Sequence, residues 1–476
     1  MAGIVSYGAY VPFYRLSHQE IARAWGKKGG PGEKAVAGPD EDTITMAVEA
    51  GYDCLKDLKT AEIDAIYFAS TRPPYAQKQS ASIIAAALNL KKNIISIDFG
   101  HSLRAATNAL VAAQHAVEAG SVRKALVIVA DAPLPPPDSA KEMDCGDGAA
   151  ALVIGKSDMA VTLDGSYHVA SEFLDSWRLP TERYCQEWED RFIRDEGYLR
   201  LLPAVVSGLL RQHNLGPKDF SRIVYNAIDS YSHKIAAARM GFDYKAQVQD
   251  HLYNCIGNTG AASALMILVS ALEQAAAGEK ILLANYGDGG DAFVLTVTEH
   301  IEGVRNRRGV KGYANSKATL GSYGKYLRFR NMMEWEVDRR PSPRTSVTHY
   351  YRESEQLFGL IGQRCLSCGH EQFPRQRLCM WCQSRMEKPG QYEDVCLKDQ
   401  KGVLFTFSMD ERAPVADLPN VLCVVDLEGG ARYYGLMTDR DPARIQIGQE
   451  MEFTFRKIND AQGVHNYFWK VRPVRS

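Results

Sequence analysis

The sequence predicts an α/β fold made of two similar halves, followed by a cysteine-rich zinc ribbon and a small OB-type β-barrel. Three observations carry that expectation. Two Ala-rich helical stretches, each closed by glycine and followed by a Lys and an apolar strand, recur roughly 156 positions apart. Two Cys-x-x-Cys pairs stand close together late in the chain. Five short alternating strands with polar turns fill the last 75 or so residues.

The first Ala-rich helix starts at Ala105, ends at Glu118-Ala119-Gly120, and leads into Lys124-Ala125-Leu126-Val127-Ile128-Val129-Ala130-Asp131. The second starts at Asn258-Thr259-Gly260-Ala261, ends at Ala276-Ala277-Gly278, and leads into Lys280-Ile281-Leu282-Leu283-Ala284. Alanine surfaces let backbones approach closely, and uninterrupted apolar strands read as buried on both faces. Glycine turns accompany both halves: Gly146-Asp147-Gly148 before Ala149–Ile154, and Gly287-Asp288-Gly289-Gly290 before Phe293-Val294-Leu295. Such a spacing is the scale of a duplicated α/β domain; coincidence between two Ala-rich helices is the plainer alternative.

From Ile301 to Arg330 the chain turns basic, with Arg305, Arg307, Arg308, Lys311, Lys317, Lys325, Arg328 and Arg330 against Glu302. This reads as a solvated connector or as a surface for a nucleotide phosphate. Arg339-Arg340-Pro341-Ser342-Pro343-Arg344 reads as a linker. Tyr350–Leu360 reads as helical. Val403–Phe407, Val421–Val425, Arg432–Leu436, Met451–Phe455 and Tyr467–Val471 read as the strands of a closed barrel.

Composition excludes several classes of function. Apolar residues are 45% and charged residues 24%, so the chain is globular. Lys and Arg (56) balance Asp and Glu (57), which argues against a nucleic-acid partner. The most apolar stretch, Ala261–Leu272, is too short to span a bilayer, so no membrane partner is expected. The N-terminus lacks the pattern of a signal peptide, and the cysteines favour metal and buried thiols over disulfides, so a cytoplasmic location is expected. No dinucleotide fingerprint, P-loop or flavin motif is present, so no redox cofactor is expected.

Cys365-x-x-Cys368 and Cys379-x-x-Cys382 can place four thiolates around one Zn²⁺, a closed shell that leaves no position for a reacting water. The zinc is therefore expected to be structural; two redox dithiols are the alternative.

Several motifs resemble the hydroxymethylglutaryl-CoA synthase family of the thiolase superfamily. They are Gly3-Ile4-Val5-Ser6-Tyr7-Gly8-Ala9-Tyr10-Val11-Pro12, Gly32-Glu33-Lys34-Ala35-Val36, Asp40-Glu41-Asp42-Thr43-Ile44-Thr45-Met46-Ala47, Pro74-Tyr75-Ala76 and Gly257-Asn258-Thr259-Gly260-Ala261-Ala262-Ser263. Gly362–Cys382, including Phe373-Pro374-Arg375, is similar to a zinc-ribbon/OB-fold family that accompanies acyl-CoA enzymes. The resemblance implies a duplicated thiolase-like fold of two βαβαβαββ-type halves, residues 1–165 and 166–330. A linker (331–349), a helix and zinc ribbon (350–395) and an OB barrel (396–476) would follow. It also implies coenzyme A as substrate and a homodimer, possibly joined by another thiolase-like or acyl-CoA enzyme.

The same resemblance marks departures. Aligning on Ala105–Leu110 puts Leu103 where the family has its nucleophilic Cys, the run Arg222–Asn226 puts Asn226 at the general acid/base His, and Ser70-Thr71 ahead of Pro74-Tyr75-Ala76 puts Thr71 at the Glu. Leu offers no lone pair and Asn moves no proton near neutrality. Asn258 matches the family's oxyanion-orienting Asn; with Asn226 it could donate to a carbonyl oxygen gaining charge, or it could cap the following helix. Replacement groups are Cys145 as a functional thiol or small buried hydrophobe, His233 as base or core residue, and Ser102 as nucleophile. Tyr75, Leu103, Tyr231 and Asp229 are expected to line the substrate site.

The reaction expected is therefore CoA-dependent acyl transfer that makes or breaks a C–C bond beside a carbonyl, on a β-keto acid or β-ketoacyl-CoA, possibly aryl-substituted, giving acetyl-CoA. Retro-aldol cleavage of a β-hydroxyacyl-CoA, with Tyr75, Tyr231 or His233 as base, is the second reading. A non-catalytic acyl-CoA-binding scaffold is the third.

Overall fold

The computed structural model describes residues 1–334 and 344–475, so most of the linker around Arg339–Pro343 lies outside the described residues. Two compact units separate: Met1–Ala37, Asp42–Ile84 and Leu90–Tyr323 in the first, and Gly38–Glu41, Ala85–Asn89 and Gly324–Ser476 in the second.

The first unit carries one nine-stranded sheet. Its first half runs β1 (Gly3–Tyr10), α1 (Thr43–Leu55), β2 (Ile63–Ala69), α2 (Ser80–Ala87), β3 (Ile95–Phe99), α3 (Ala105–Glu118), β4 (Lys124–Asp131) and β5 (Gly148–Gly155). The second half runs β6 (Val161–Ala170), α4 (Leu199–His213), β7 (Arg222–Tyr225), α5 (Ser230–Met240), α6 (Ser263–Leu272), β8 (Lys280–Gly287) and β9 (Gly289–Val297). The strand order β7-β8-β9-β6-β1-β5-β4-β2-β3 displays the duplication: β3-β2-β4-β5-β1 mirrors the reverse series from β6. Where the first half has β3, the second keeps a single parallel bridge between Ile223 and Val248. Within the sheet the halves pair through two residue pairs, Gly3 with Thr162 and Ile4 with Val161. A Cβ on Gly3 would lie 2.3 Å from the Val161 carbonyl oxygen, so only glycine lets the strands close.

Helix α6 is buried along its whole length and packs on β1 and β5 of one half and β7 and β8 of the other. Its sequence contains no charge, which is what burial on all sides requires. It ends at Leu272 rather than running to Ala276. The Arg305 guanidinium takes the freed carbonyls of Glu273 (3.0 Å) and Ala275 (2.6 Å), and the Glu273 carboxylate turns to the amides of Val310 and Lys311.

Several charges of the basic stretch serve the chain's own groups. Arg307 reaches Ser6 Oγ and Asp57, Arg305 pairs with Glu302, and Lys317 pairs with Glu33. Arg308 lies over Tyr313, and in the second unit Lys325 pairs with Asp417.

In the second unit the stretch before the ribbon forms two short helices, Val347–Arg352 and Ser354–Gly359, in place of one, separated at Glu353 and ended by Leu360 at φ +49°. A three-stranded sheet follows, from Ile361–Cys365, Glu371–Gln372 and Tyr392–Cys396. Then comes a closed barrel of Gly402–Asp410, Asn420–Leu427, Arg432–Met437, Val464–Pro473 and Glu450–Ala461, in that spatial order. All five expected strands are present. Leu404, Val425, Tyr433, Phe455 and Trp469 fill the barrel interior at alternate positions, the period-2 pattern read in the sequence.

Candidate functional site

The end of β8 assembles three parts of the site. Asn285 Nδ2 donates to the Leu103 carbonyl at 3.1 Å. Next along, Tyr286 is clamped by Asn226: Asn226 Nδ2 donates to the Tyr286 carbonyl (2.9 Å) and its Oδ1 accepts from the Tyr286 amide (2.8 Å). Gly287 then packs against the 102–104 turn, where a Cβ would lie 2.8 Å from Arg104 Cγ and 3.1 Å from Ser102 Oγ. Leu103, Ser102 and Asn226 are thus brought to one place by three consecutive residues.

Below that turn lies a polar network the sequence reading did not single out. Arg104 forks onto the fully buried Asp291 (3.0 and 2.6 Å), which also accepts from Thr107 Oγ1 (2.6 Å) and faces His168 Nδ1 at 2.9 Å. These partners hold the Asp291 carboxyl below the usual carboxylate range despite burial. The signal was available: an Asp inside an otherwise apolar strand requires a partner.

On the other side, the Asn258 amide lies at 2.6 Å from the Asp144 carbonyl, and the Gly146 amide donates to the Asn258 carbonyl at 3.0 Å, so Cys145 and Asn258 run side by side. The Asn258 side chain donates to the Ala227 carbonyl (3.2 Å) and accepts from the Gly260 amide (3.0 Å). Ala227 follows Asn226, so the two asparagines are tied through one residue. Tyr253, also missed in the sequence, is buried here and gives its hydroxyl to the same Ala227 carbonyl. Asn258 does not cap α6 directly; a 3₁₀ turn, Gly260–Ala262, intervenes.

Electrostatics decide what these groups can do. Burial pushes the Cys145 thiol up to about 12 although Lys34 and Lys141 oppose the shift, and it drives the Tyr253 hydroxyl well above its ordinary value. Both are protonated near neutral pH. Asp131, on β4, is fully buried, and desolvation raises its carboxyl. It accepts from Thr71 Oγ1 (2.6 Å) and from the Ala261 amide (3.0 Å), linking Thr71 to the Asn258 loop.

Other expected residues are placed elsewhere or already engaged. His233 is 1% exposed, stacked on Tyr225 (4.1 Å between ring centres) and edge-on to His251; burial pushes its imidazole down to about 3. It belongs to the core, one of the two places the sequence offered for it, and burial disfavours its charged form. Tyr231, at 68% exposed, stands at the open start of α5, and Asp229 is committed to capping that helix through the Ser232 amide (2.7 Å). Ser102 Oγ accepts from the Arg104 amide (3.2 Å) and has no imidazole among its hydrogen-bond partners to activate it as a nucleophile. Tyr75 lies half-buried in the segment after Thr71.

The metal centre belongs to the second unit. The sulfurs of Cys365, Cys368, Cys379 and Cys382 all lie within 4.8 Å of one another, with Cys365–Cys382 at 3.7 Å and Cys368–Cys379 at 3.6 Å. A tetrahedral zinc with Zn–S bonds of about 2.3 Å sets sulfurs about 3.8 Å apart, so the four thiolates fit one ion. Each pair sits on a knuckle that turns through a residue of positive φ, Gly369 (+77°) and Gln383 (+60°).

Comparisons with known proteins agree with this architecture. Residues 355–387 match the ChsH2 rubredoxin-like zinc ribbon domain, and residues 395–456 match the ChsH2 C-terminal OB-fold domain. Residues 97–171 match 3-oxoacyl-[acyl-carrier-protein (ACP)] synthase III. Among solved structures, an HMG-CoA synthase complexed with CoA superposes with a TM-score of 0.64 at 18% identity, over 72% of this chain and 94% of that one. The 3-oxoacyl-[acyl-carrier-protein] synthase III of Aquifex aeolicus gives 0.56 at 21% identity, over 62% and 100%. Hydroxymethylglutaryl-CoA synthase of Methanocaldococcus jannaschii is 32% identical over 345 residues, 70% of this chain and all of the relative. That of Methanopyrus kandleri is 31% identical over 344 residues, 70% of this chain and 98% of the relative. With such identity over the whole length of these relatives, and with the duplicated fold they share, the chain belongs to the hydroxymethylglutaryl-CoA synthase family.

Proposed function

We propose that this protein is a CoA-dependent acyltransferase that makes or breaks a C–C bond beside a carbonyl, on a β-keto acid or β-ketoacyl-CoA, without an enzyme-bound acyl intermediate. The observation that carries the reading is Leu103. It stands in the turn before α3, with its carbonyl held by Asn285 and the Asn226–Tyr286 clamp beside it. An aliphatic side chain there cannot attack a thioester.

The remaining groups suit a reaction driven by positioning and polarisation. Asn226 has one side-chain N–H left after its bond to Tyr286, and the plane of the Asn258 amide is fixed by Ala227 and Gly260. Neutral donors held this way stabilise charge growing on a carbonyl oxygen, by about 2.7–4 kcal/mol for one donor. In the cleavage direction the CoA sulfur bonds to the ketone carbon as the C–C bond breaks. The electron pair passes into an enolate, and a proton completes the second product. Protonated Cys145 beside Asn258 is suited to give that proton, a different role from nucleophile, and the proton that the CoA thiol loses on attack returns through solvent to the Cys145 thiolate. Coenzyme A, which the complexed structure holds, would be substrate here, and the zinc would be structural.

A homodimer is part of the reading. Strand β3 is the edge of the sheet and exposes Ile95 (44%) and Ile97 (40%), an apolar edge suited to pairing with a second copy. Among the described residues no helix is long and apolar enough to cross a membrane.

The test is incubation of the full chain with CoA and a panel of β-keto acids and β-ketoacyl-CoAs, read by mass spectrometry of the thioesters. Formation of acetyl-CoA or a shortened acyl-CoA supports the proposal. Absence of turnover across the panel, with a ketone or aldehyde released from β-hydroxyacyl-CoA instead, would assign the retro-aldol reaction. Tight acyl-CoA binding with no chemistry, alongside a co-purifying thiolase-like chain, would assign the scaffold.

A further inference from the structure

The second unit holds a cavity of about 420 Å³ bounded by its two short helices and the barrel. Tyr350 and Leu357 line it from the helices, and Leu436, Ile458 and Phe468 line it from the strands Arg432–Met437, Glu450–Ala461 and Val464–Pro473. Small-molecule sites are concavities of roughly 300–1,000 Å³, mostly apolar, with a few placed polar groups, and this cavity falls in that range. Two further wall residues spend their polar tips inside the protein. Tyr433 gives its hydroxyl to the Trp469 carbonyl (2.6 Å), and Trp469 Nε1 donates to the Phe358 carbonyl (2.6 Å). Walls rich in rings accept a flat ring by offset or edge-on contact.

The charged lining has one sign. Among the described residues no Asp or Glu lines the cavity, whereas Arg344 and Lys470 do. Asp40 neutralises the Lys470 ammonium at 2.8 Å. No carboxylate among the described residues pairs with Arg344, so one permanent positive charge is left over. Asn459 adds a donor. Its Oδ1 accepts from Asn466 Nδ2 (2.7 Å), which also donates to Thr345 Oγ1 (2.9 Å). That bond fixes the plane of the Asn459 amide, and its Nδ2 has no acceptor among the described residues. Donors without a competing acceptor select a head group that only accepts, and a carboxylate is such a group. One uncompensated cation matches one negative charge, whereas the several phosphate charges of CoA would go unpaired here.

From this we propose that the cavity is a binding site for a small aromatic monocarboxylate, its ring among Tyr350, Leu436 and Phe468 and its carboxylate on Arg344 and Asn459. Every residue of the site belongs to the second unit, so the inference goes beyond the acyl-transfer reading and does not depend on it.

The probes are 2-naphthoate, its neutral amide 2-naphthamide, and the aliphatic octanoate, titrated calorimetrically into the full chain at low salt. One 2-naphthoate should bind per chain, at least about tenfold more tightly than either of the others, roughly 1.4 kcal/mol. In R344Q the preference over 2-naphthamide should disappear, and R344K should restore it in part. In L436W, where an indole fills the cavity, 2-naphthoate binding should be lost with the circular dichroism spectrum unchanged. An excess of CoA should leave the 2-naphthoate affinity as it was. Absence of 2-naphthoate binding, equal affinity for the amide, or a preference that survives R344Q overturns the proposal. Tighter binding of octanoate overturns the aromatic class, and displacement of 2-naphthoate by CoA overturns a site separate from the acyl-CoA one. If L436W does not fold, the R344Q comparison still decides.

Discussion

Arg104 grips Asp291 through two N–H bonds, from Nε at 3.0 Å and Nη2 at 2.6 Å, with the carboxylate fully buried. The pair joins the turn carrying Leu103 to strand β9. Removing one charge strands the other in a dry interior. Asp291→Asn should therefore cost about 3–5 kcal/mol of stability, read by urea unfolding. Replacing Arg104 and Asp291 together by apolar residues of similar volume should cost less than Asp291→Asn alone. A single-mutant loss below about 1 kcal/mol would contradict the pairing.

The Asn226–Tyr286 clamp makes a separate prediction. In Asn226→Asp the donor to the Tyr286 carbonyl becomes a second acceptor, opposing that oxygen. Stability should fall by roughly 1–3 kcal/mol, measured by thermal unfolding, with loss of acyl transfer in the same variant. Asn226→Ala should reduce turnover while acyl-CoA affinity, read by titration, changes little.

Leu103→Cys should restore a covalent step. Incubated with an acyl-CoA, the variant should gain the mass of one acyl group at position 103, whereas the unaltered protein acquires none. An acyl adduct on any cysteine of the unaltered protein during turnover would refute the thiol-free mechanism.

Acid should destabilise the core of the second half. Burial lowers His233 from 6.5 to about 3 and lowers His251 as well. Both are thus held neutral in the folded protein, while the unfolded chain binds protons below about 6.5. Their contribution is complete above that pH and is lost as pH falls from about 6.5 toward 3, by up to roughly 5 kcal/mol for His233. His233→Phe should flatten the stability profile across this window in chemical denaturation. An unchanged slope would show that His233 does not set it.

Zinc removal should act on the ribbon. One zinc per chain is expected by elemental analysis. Chelation or Cys379→Ser should abolish the ordered signals of residues 361–396, because the small cluster of Cys365, Cys379, Met386 and Tyr392 has little apolar area to hold it together. A metal-free protein with an intact ribbon would overturn the assignment.

Sequence alone determined the duplicated α/β architecture, the four zinc ligands and the five barrel strands. Each rests on a local pattern: an apolar run closed by glycine, a Cys-x-x-Cys spacing, a period of two. It also supplied Leu103, Asn226 and Asn258 by resemblance. Only the tertiary structure decided which candidates meet. His233 and Tyr231 lie two positions apart in the chain, yet one is sealed in the core and the other stands in solvent, because a helix turns residues two apart toward different faces. Tyr253 and Asp131 carried no motif; pairings between residues distant in the chain brought them to the site. Whether Cys145 is thiolate or thiol also lay beyond the sequence, since a protonation state depends on the water and charges that folding removes or adds around it.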